Sequence, residues 1–90
     1  MKIDYKVKGG KLLRINFNIN DNKITDFKLS GDFFIYPENE IDNIESILVG
    51  KKYFEISNIL ESYLEKNKIT IIGFSPNDVQ NAVKEVINKK

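Results

Sequence analysis

The 90 residues contain no cysteine, no histidine and only two prolines. Without cysteine there is no disulfide, no thiolate metal site, no iron–sulfur ligation and no cysteine nucleophile. Without histidine the chain lacks the commonest general base and the commonest zinc ligand. It also lacks an excess of either charge. Fourteen basic residues stand against 13 acidic ones, for a net charge of +1, whereas a dedicated nucleic-acid binder carries a clear basic excess. No stretch approaches the roughly 20 apolar residues of a membrane span, and Met1 to Gly10 has no apolar run of the signal-peptide kind. These absences point to a cytoplasmic protein with neither a nucleic-acid nor a membrane partner. What is present, 41% hydrophobic and 30% charged residues, fits one globular domain over residues 1–90 with a single core.

Along the chain, Ile3, Tyr5 and Val7 alternate with Lys2, Asp4, Lys6 and Lys8, the period of a strand with one apolar face. Gly9-Gly10 then suits a two-residue hairpin turn, where positive φ is required. Leu13, Ile15, Phe17 and Ile19 line one face of a second strand. Asn20-Asp21-Asn22-Lys23 is a second turn signal. Thr25, Phe27, Leu29, Phe33 and Ile35 share a phase in a third strand, with Gly31 marking a bulge or a close backbone approach. The first 36 residues thus predict a three-stranded antiparallel meander.

Pro37-Glu38-Asn39-Glu40 is an acidic, proline-led helix start. Ile41, Ile44, Ile47 and Leu48 follow at helical spacing up to Gly50. Ile56, Ile59, Leu60, Tyr63 and Leu64 predict a second helix, with Ser57 or Glu55 near its start. Ile69 to Ile72 reads either as a short fourth strand or as a buried connector. Ser75-Pro76-Asn77-Asp78 is a capping box with proline at the first helical position. The stripe of Val79, Ala82, Val83, Val86 and Ile87 behind it predicts a third helix, with Lys89 and Lys90 at its C-terminus. The fold class is α+β: a meander followed by three helices packed on one face, in two layers.

No constellation for catalysis and no metal site emerges. Asp32 is a lone carboxylate without a partner base, better read as capping nearby amides or pairing with Lys11 or Arg14. Glu38, Glu40, Asp42 and Glu45 read as a solvated helix face. Lys8-Gly9-Gly10-Lys11 reads from spacing as a hairpin turn with exposed lysines. The alternative is an anion site, and Lys11 is in phase with Leu13 and Ile15, leaning toward the helix-covered side. Phe34 and Tyr36 fall on the polar face of their strand. Either they form an exposed partner surface, or a twist at Gly31 returns them to the core.

Three runs taken together carry a resemblance: Lys8-Gly9-Gly10-Lys11-Leu12-Leu13-Arg14, then Ser30-Gly31-Asp32-Phe33-Phe34-Ile35-Tyr36-Pro37-Glu38, then Ile72-Gly73-Phe74-Ser75-Pro76-Asn77-Asp78-Val79. In this order, and over nearly the whole chain, they resemble the accessory domain of lipoate–protein ligase. That domain is the C-terminal part of many bacterial ligases and a separate small subunit in several archaea. The length and Met1 look like the separate subunit. The resemblance implies a non-catalytic accessory subunit that forms a heterodimer with the catalytic subunit of the ligase. The catalytic subunit holds the lipoate pocket, the ATP site and the essential lysine. The accessory subunit is needed for the half-reaction giving lipoyl-adenylate and pyrophosphate, before transfer to lipoyl acceptor domains. Lipoate, ATP and Mg are then substrates of the assembled ligase, and this chain alone binds no cofactor. The positions carried over are Gly9, Gly10, Lys11, Gly31, Asp32, Phe33 and Phe34, expected to face the catalytic subunit, with Lys11 near its nucleotide or pyrophosphate. Tyr36 joins them as the second exposed aromatic. The rivals are a small RNA-binding module using Lys6, Lys8, Arg14 and Lys28 with Phe34 and Tyr36 for stacking, and a scaffold that self-associates through the same aromatic patch.

Overall fold

The computed structural model describes residues 1–88. Three antiparallel strands, β1 (Lys2–Lys6), β2 (Leu12–Asn20) and β3 (Lys23–Gly31), form a sheet in that order. A separate two-stranded ribbon pairs β4 (Phe34–Tyr36) with β5 (Thr70–Ile72). Three α-helices, α1 (Glu40–Leu48), α2 (Ile56–Lys66) and α3 (Pro76–Asn88), and one 3-10 turn over Tyr53–Glu55 complete the fold among the described residues. The α+β architecture of a meander plus three helices is as the sequence predicts, with the ribbon added. The placing of Lys89 and Lys90 lies outside the described residues. No helix among the described residues is long and apolar enough to cross a membrane.

The meander buries one face. Leu13, Ile15 and Phe17 of β2 and Ile24, Phe27 and Leu29 of β3 join Ile44, Leu48, Ile56, Leu60, Val79, Ala82 and Val83 of the helices in one core. β3 departs from its expected phase at its start. The register slips between Asn18 and Ile19, so that Ile19 opposes Ile24 while Asn18 opposes Asp26. Thr25 is the extra residue of this bulge and is exposed, and Ile24 takes the core position expected of Thr25. β3 also ends sooner than its alternation suggests. It stops at Gly31, and Phe34 onward pairs with Ile72 instead. The open question over Ile69 to Ile72 is thereby resolved: Thr70–Ile72 is a strand, preceded by buried Ile69.

The three helix starts are held in different ways. The capping box of α3 forms as expected: Ser75 donates its backbone N–H to Asp78 Oδ2 at 2.8 Å, and Asp78 N–H points back at Ser75 Oγ at 3.4 Å. Ser57 is not a cap for α2. It is buried; its backbone N–H donates to Gln80 Oε1 at 2.8 Å, and its hydroxyl donates to Asn77 Oδ1 at 2.7 Å. An α3 side chain thus satisfies an orphan amide in the first turn of α2. α1 follows Pro37 by three residues and carries Glu40 and Asp42 in its first turn.

The solvated face expected of the α1 acids is only partly so. Glu45 is buried and accepts a hydrogen bond from the Leu29 backbone N–H at 2.7 Å, with Lys28 Nζ 3.7 Å from its other oxygen. A sheet amide facing the helix needs an acceptor, and periodicity cannot reveal that need. Glu40 accepts from Tyr63 Oη at 2.8 Å and from Asn43 Nδ2 at 3.0 Å.

Candidate interface site

The two glycine motifs lie far apart in sequence and meet through the glycine before the third helix. The β1–β2 hairpin has three loop residues rather than two. Val7 N–H donates to Lys11 O at 3.1 Å, and Gly10 N–H closes the turn on Val7 O at 2.9 Å. Only Gly9 has positive φ, at +71°. Gly10 is needed for a different reason: a Cβ there would lie 2.6 Å from Gly73 O. Lys11 N–H donates to that same Gly73 oxygen at 3.1 Å.

Gly31 has φ of +144°, and a Cβ on it would lie 2.1 Å from Leu12 O. This is the close backbone approach that its position in the strand suggests. The chain turns there, Asp32 N–H donates to Leu12 O at 3.1 Å, and Phe33 swings onto Gly73. A Cβ on Gly73, where φ is +116°, would meet Lys11 Cγ at 2.9 Å and Phe33 Cβ at 3.1 Å. Half-buried Phe33 stands edge-on to buried Phe74, with ring centroids 4.8 Å apart. Gly10, Lys11, Gly31, Asp32 and Phe33 are therefore one cluster, assembled around Gly73 and Phe74. The hairpin's Gly9 sits at its margin.

The two alternatives for the aromatic pair resolve toward exposure. Phe34 and Tyr36 are 54% and 50% exposed, while Ile35 between them is buried. Ile72, 52% exposed, lies directly opposite Phe34 in the ribbon. Side chains on opposed residues share a face, so Phe34, Tyr36 and Ile72 form one apolar surface. Ile72, Gly73 and Phe74 are absent from the site residues named from sequence. Their signal was the run Ile72 to Val79, whose capping box drew attention to its second half alone.

Lys11 is exposed, as the hairpin-turn reading expects, with its stem over Gly73. One electrostatic expectation changes. Asp32 is exposed and makes no ion pair with Lys11 or Arg14, and its side chain caps no described amide. Arg14 instead pairs with Asp4, its neighbour across β1 and β2, at 3.0 Å. The Asp4 hydrogen bond and charge raise the Arg14 pKa above its ordinary value, and Asp32 adds a smaller effect through space. Asp32 and Lys11 are thus both exposed and in no ion pair among the described residues. No group of three acidic side chains able to hold a metal ion occurs among the described residues.

Residues 1–83 match the family model described as bacterial lipoate protein ligase C-terminus. The chain belongs to this family. It is 32% identical over 83 residues to lipoate-protein ligase A subunit 2 of Thermoplasma acidophilum, covering 92% of this chain and 86% of that protein. A solved chain from an archaeal lipoylation system of the same organism, described as a bi-partite lipoate protein ligase and its E2 lipoyl domain, superposes with a TM-score of 0.78. The sequence identity there is 29%, with 91% of each chain covered. The match of this lipoate protein ligase C-terminus domain includes the whole Gly73 cluster and the β4–β5 ribbon.

Proposed function

We propose that this chain is the non-catalytic accessory subunit of a bipartite lipoate–protein ligase. It docks on the catalytic subunit through Phe34, Tyr36 and Ile72, with Lys11 and Asp32 beside that face. The family match and the similarity to subunit 2 of an archaeal ligase support the assignment. The exposed apolar face carries the docking surface: three large side chains stand in water on a ribbon that packs its other face inward. Burying such side chains against a partner is favourable by about 25 cal/mol per Å² before the costs of association.

The subunit supplies no acid, base or nucleophile to the reaction. Its contribution is assembly. Docking holds loops of the catalytic subunit closed over lipoate and ATP with Mg, and excludes water from the lipoyl-adenylate that forms. Lys11 extends past Gly73 toward the partner, where its ammonium stabilises the charge of the nucleotide or the departing pyrophosphate. Transfer to lipoyl acceptor domains follows on the catalytic subunit. The heterodimer works in the cytoplasm.

The test is pyrophosphate release from ATP and lipoate by the catalytic subunit, with and without this chain, alongside light scattering of the mixture. Release that depends on the chain, with a 1:1 complex, is the expected result. Equal release without it and no complex would overturn the assignment. A homodimer that persists in the mixture and is lost on Phe34→Ser would favour the self-associating scaffold.

A further inference from the structure

We infer that the groove between α1 and α2 is a second docking surface, for an acidic helical segment that inserts apolar side chains. The inference stands apart from the reading above, since no residue of the ribbon lines this groove. Its volume is about 580 Å³. Ile47, Ile59 and Tyr63 provide an apolar floor; among the described lining residues Lys51 and Lys66 carry charge and the rest are uncharged.

Charge identifies the occupant. Lys51 and Lys66 have no ion-pair partner among the described residues. In a chain of net charge +1, a groove with two cations and no anion is locally unbalanced. The groove between β3 and α1 makes the contrast. At about 520 Å³ it is similar in size, but its lining sets Asp26, Asp42 and Glu45 against Lys28 alone and is net negative, the opposite sign. The α1–α2 groove therefore attracts carboxylates from outside the chain, and its floor takes apolar side chains between them. A trough between two helices accepts a third helix laid along it, read through residues at helical spacing.

The floor is also pre-set. Tyr63 Oη donates to Glu40 Oε1 at 2.8 Å, and Asn43 Nδ2 donates to the same oxygen at 3.0 Å. These bonds hold the still-charged Glu40 carboxylate on the ring hydroxyl and fix the ring before a partner arrives. A preorganised surface loses less entropy on binding.

The experiment titrates the isotopically labelled full chain with a helical peptide of about 15 residues, bearing leucines on one face flanked by glutamates, followed by nuclear magnetic resonance. Saturable shifts are expected at Ile47, Lys51, Ile59, Tyr63 and Lys66. The glutamine version of the peptide is expected to bind roughly tenfold more weakly, and added salt to weaken only the glutamate version. The Lys51→Glu/Lys66→Glu chain should lose binding. The Lys51→Gln/Lys66→Gln chain, which keeps the stems, serves if the charge-reversed chain fails to fold. Equal binding of the two peptides, shifts confined to the β4–β5 ribbon, absence of saturation, or a homodimer closed through this groove would each overturn the inference.

Discussion

Lys11 gives its backbone N–H to the carbonyl of Gly73 at 3.1 Å and lays its side-chain stem against the bare Cα of the same glycine. The contact joins the first hairpin to the segment that leads into α3, 62 positions later in the chain. It sets the Lys11 stem against the residue that follows Ile72 of the ribbon.

Three of the four glycines with positive φ should rank by what surrounds them. Gly31→Ala places a methyl 2.1 Å from a backbone oxygen that cannot move independently, and a loss of about 3 kcal/mol or more, or failure to fold, is expected. Gly73→Ala meets two side chains and a positive φ, and should lose about 1–3 kcal/mol. Gly9→Ala meets nothing within 4 Å and pays only for its φ, about 1 kcal/mol. Urea unfolding of the three variants checks the order. A Gly9→Ala loss equal to that of Gly31→Ala would contradict it.

Glu45 is structural. Glu45→Ala leaves the buried Leu29 N–H without an acceptor and should cost about 1–3 kcal/mol, with faster hydrogen exchange at that amide. Glu45→Gln keeps an oxygen in place and should recover most of the loss. If the two variants unfold at the same urea concentration, the 2.7 Å bond is not what matters there.

The Glu40–Tyr63 pair predicts opposite behaviour at the two ends of the pH scale. Hydrogen bonds from Asn43 and then Tyr63 hold the Glu40 carboxyl below its usual range. A depressed carboxyl pKa stabilises the fold above the unfolded value and loses that contribution as pH falls through the folded value. Thermal stability should therefore fall less on acidification below about pH 4 in Glu40→Gln than in the parent. The bond to Glu40, with burial adding to it, raises the Tyr63 pKa. Absorbance titration of the tyrosines should show a component above the ordinary value of about 10 that vanishes in Tyr63→Phe. A parent titration with no such component would remove the coupling.

Surface variants should separate docking from folding. Phe34→Ser and Tyr36→Ser replace half-exposed rings and are expected to shift stability by less than about 1 kcal/mol, while weakening the complex with the catalytic subunit by at least roughly tenfold. Lys11→Ala is expected to leave the complex intact and to slow pyrophosphate release. Full release by Lys11→Ala would remove the proposed role of its ammonium, without touching the docking surface.

Much of this was legible along the chain, for a physical reason. A strand's period of two and a helix's of 3.6 are local properties. The meander, the three helices and the Ser75–Asp78 capping box could all be read from residues a few positions apart. Gly31 also declared itself, because glycine within an apolar strand signals a close approach wherever it occurs. Three features needed the assembled molecule. The bulge at Thr25 depends on the register against β2. The burial of Glu45 depends on a sheet amide 16 positions away. Phe34 and Tyr36 had the phase of solvent-facing residues but the chemistry of core, and only the pairing of β4 with β5, rather than continuation of β3, set them beside Ile72 in water. The sequence alone determined the longer strands, the three α-helices and most of their apolar faces. The tertiary structure decided which unpaired edges met, because pairing energy depends on neighbours brought together from distant parts of the chain.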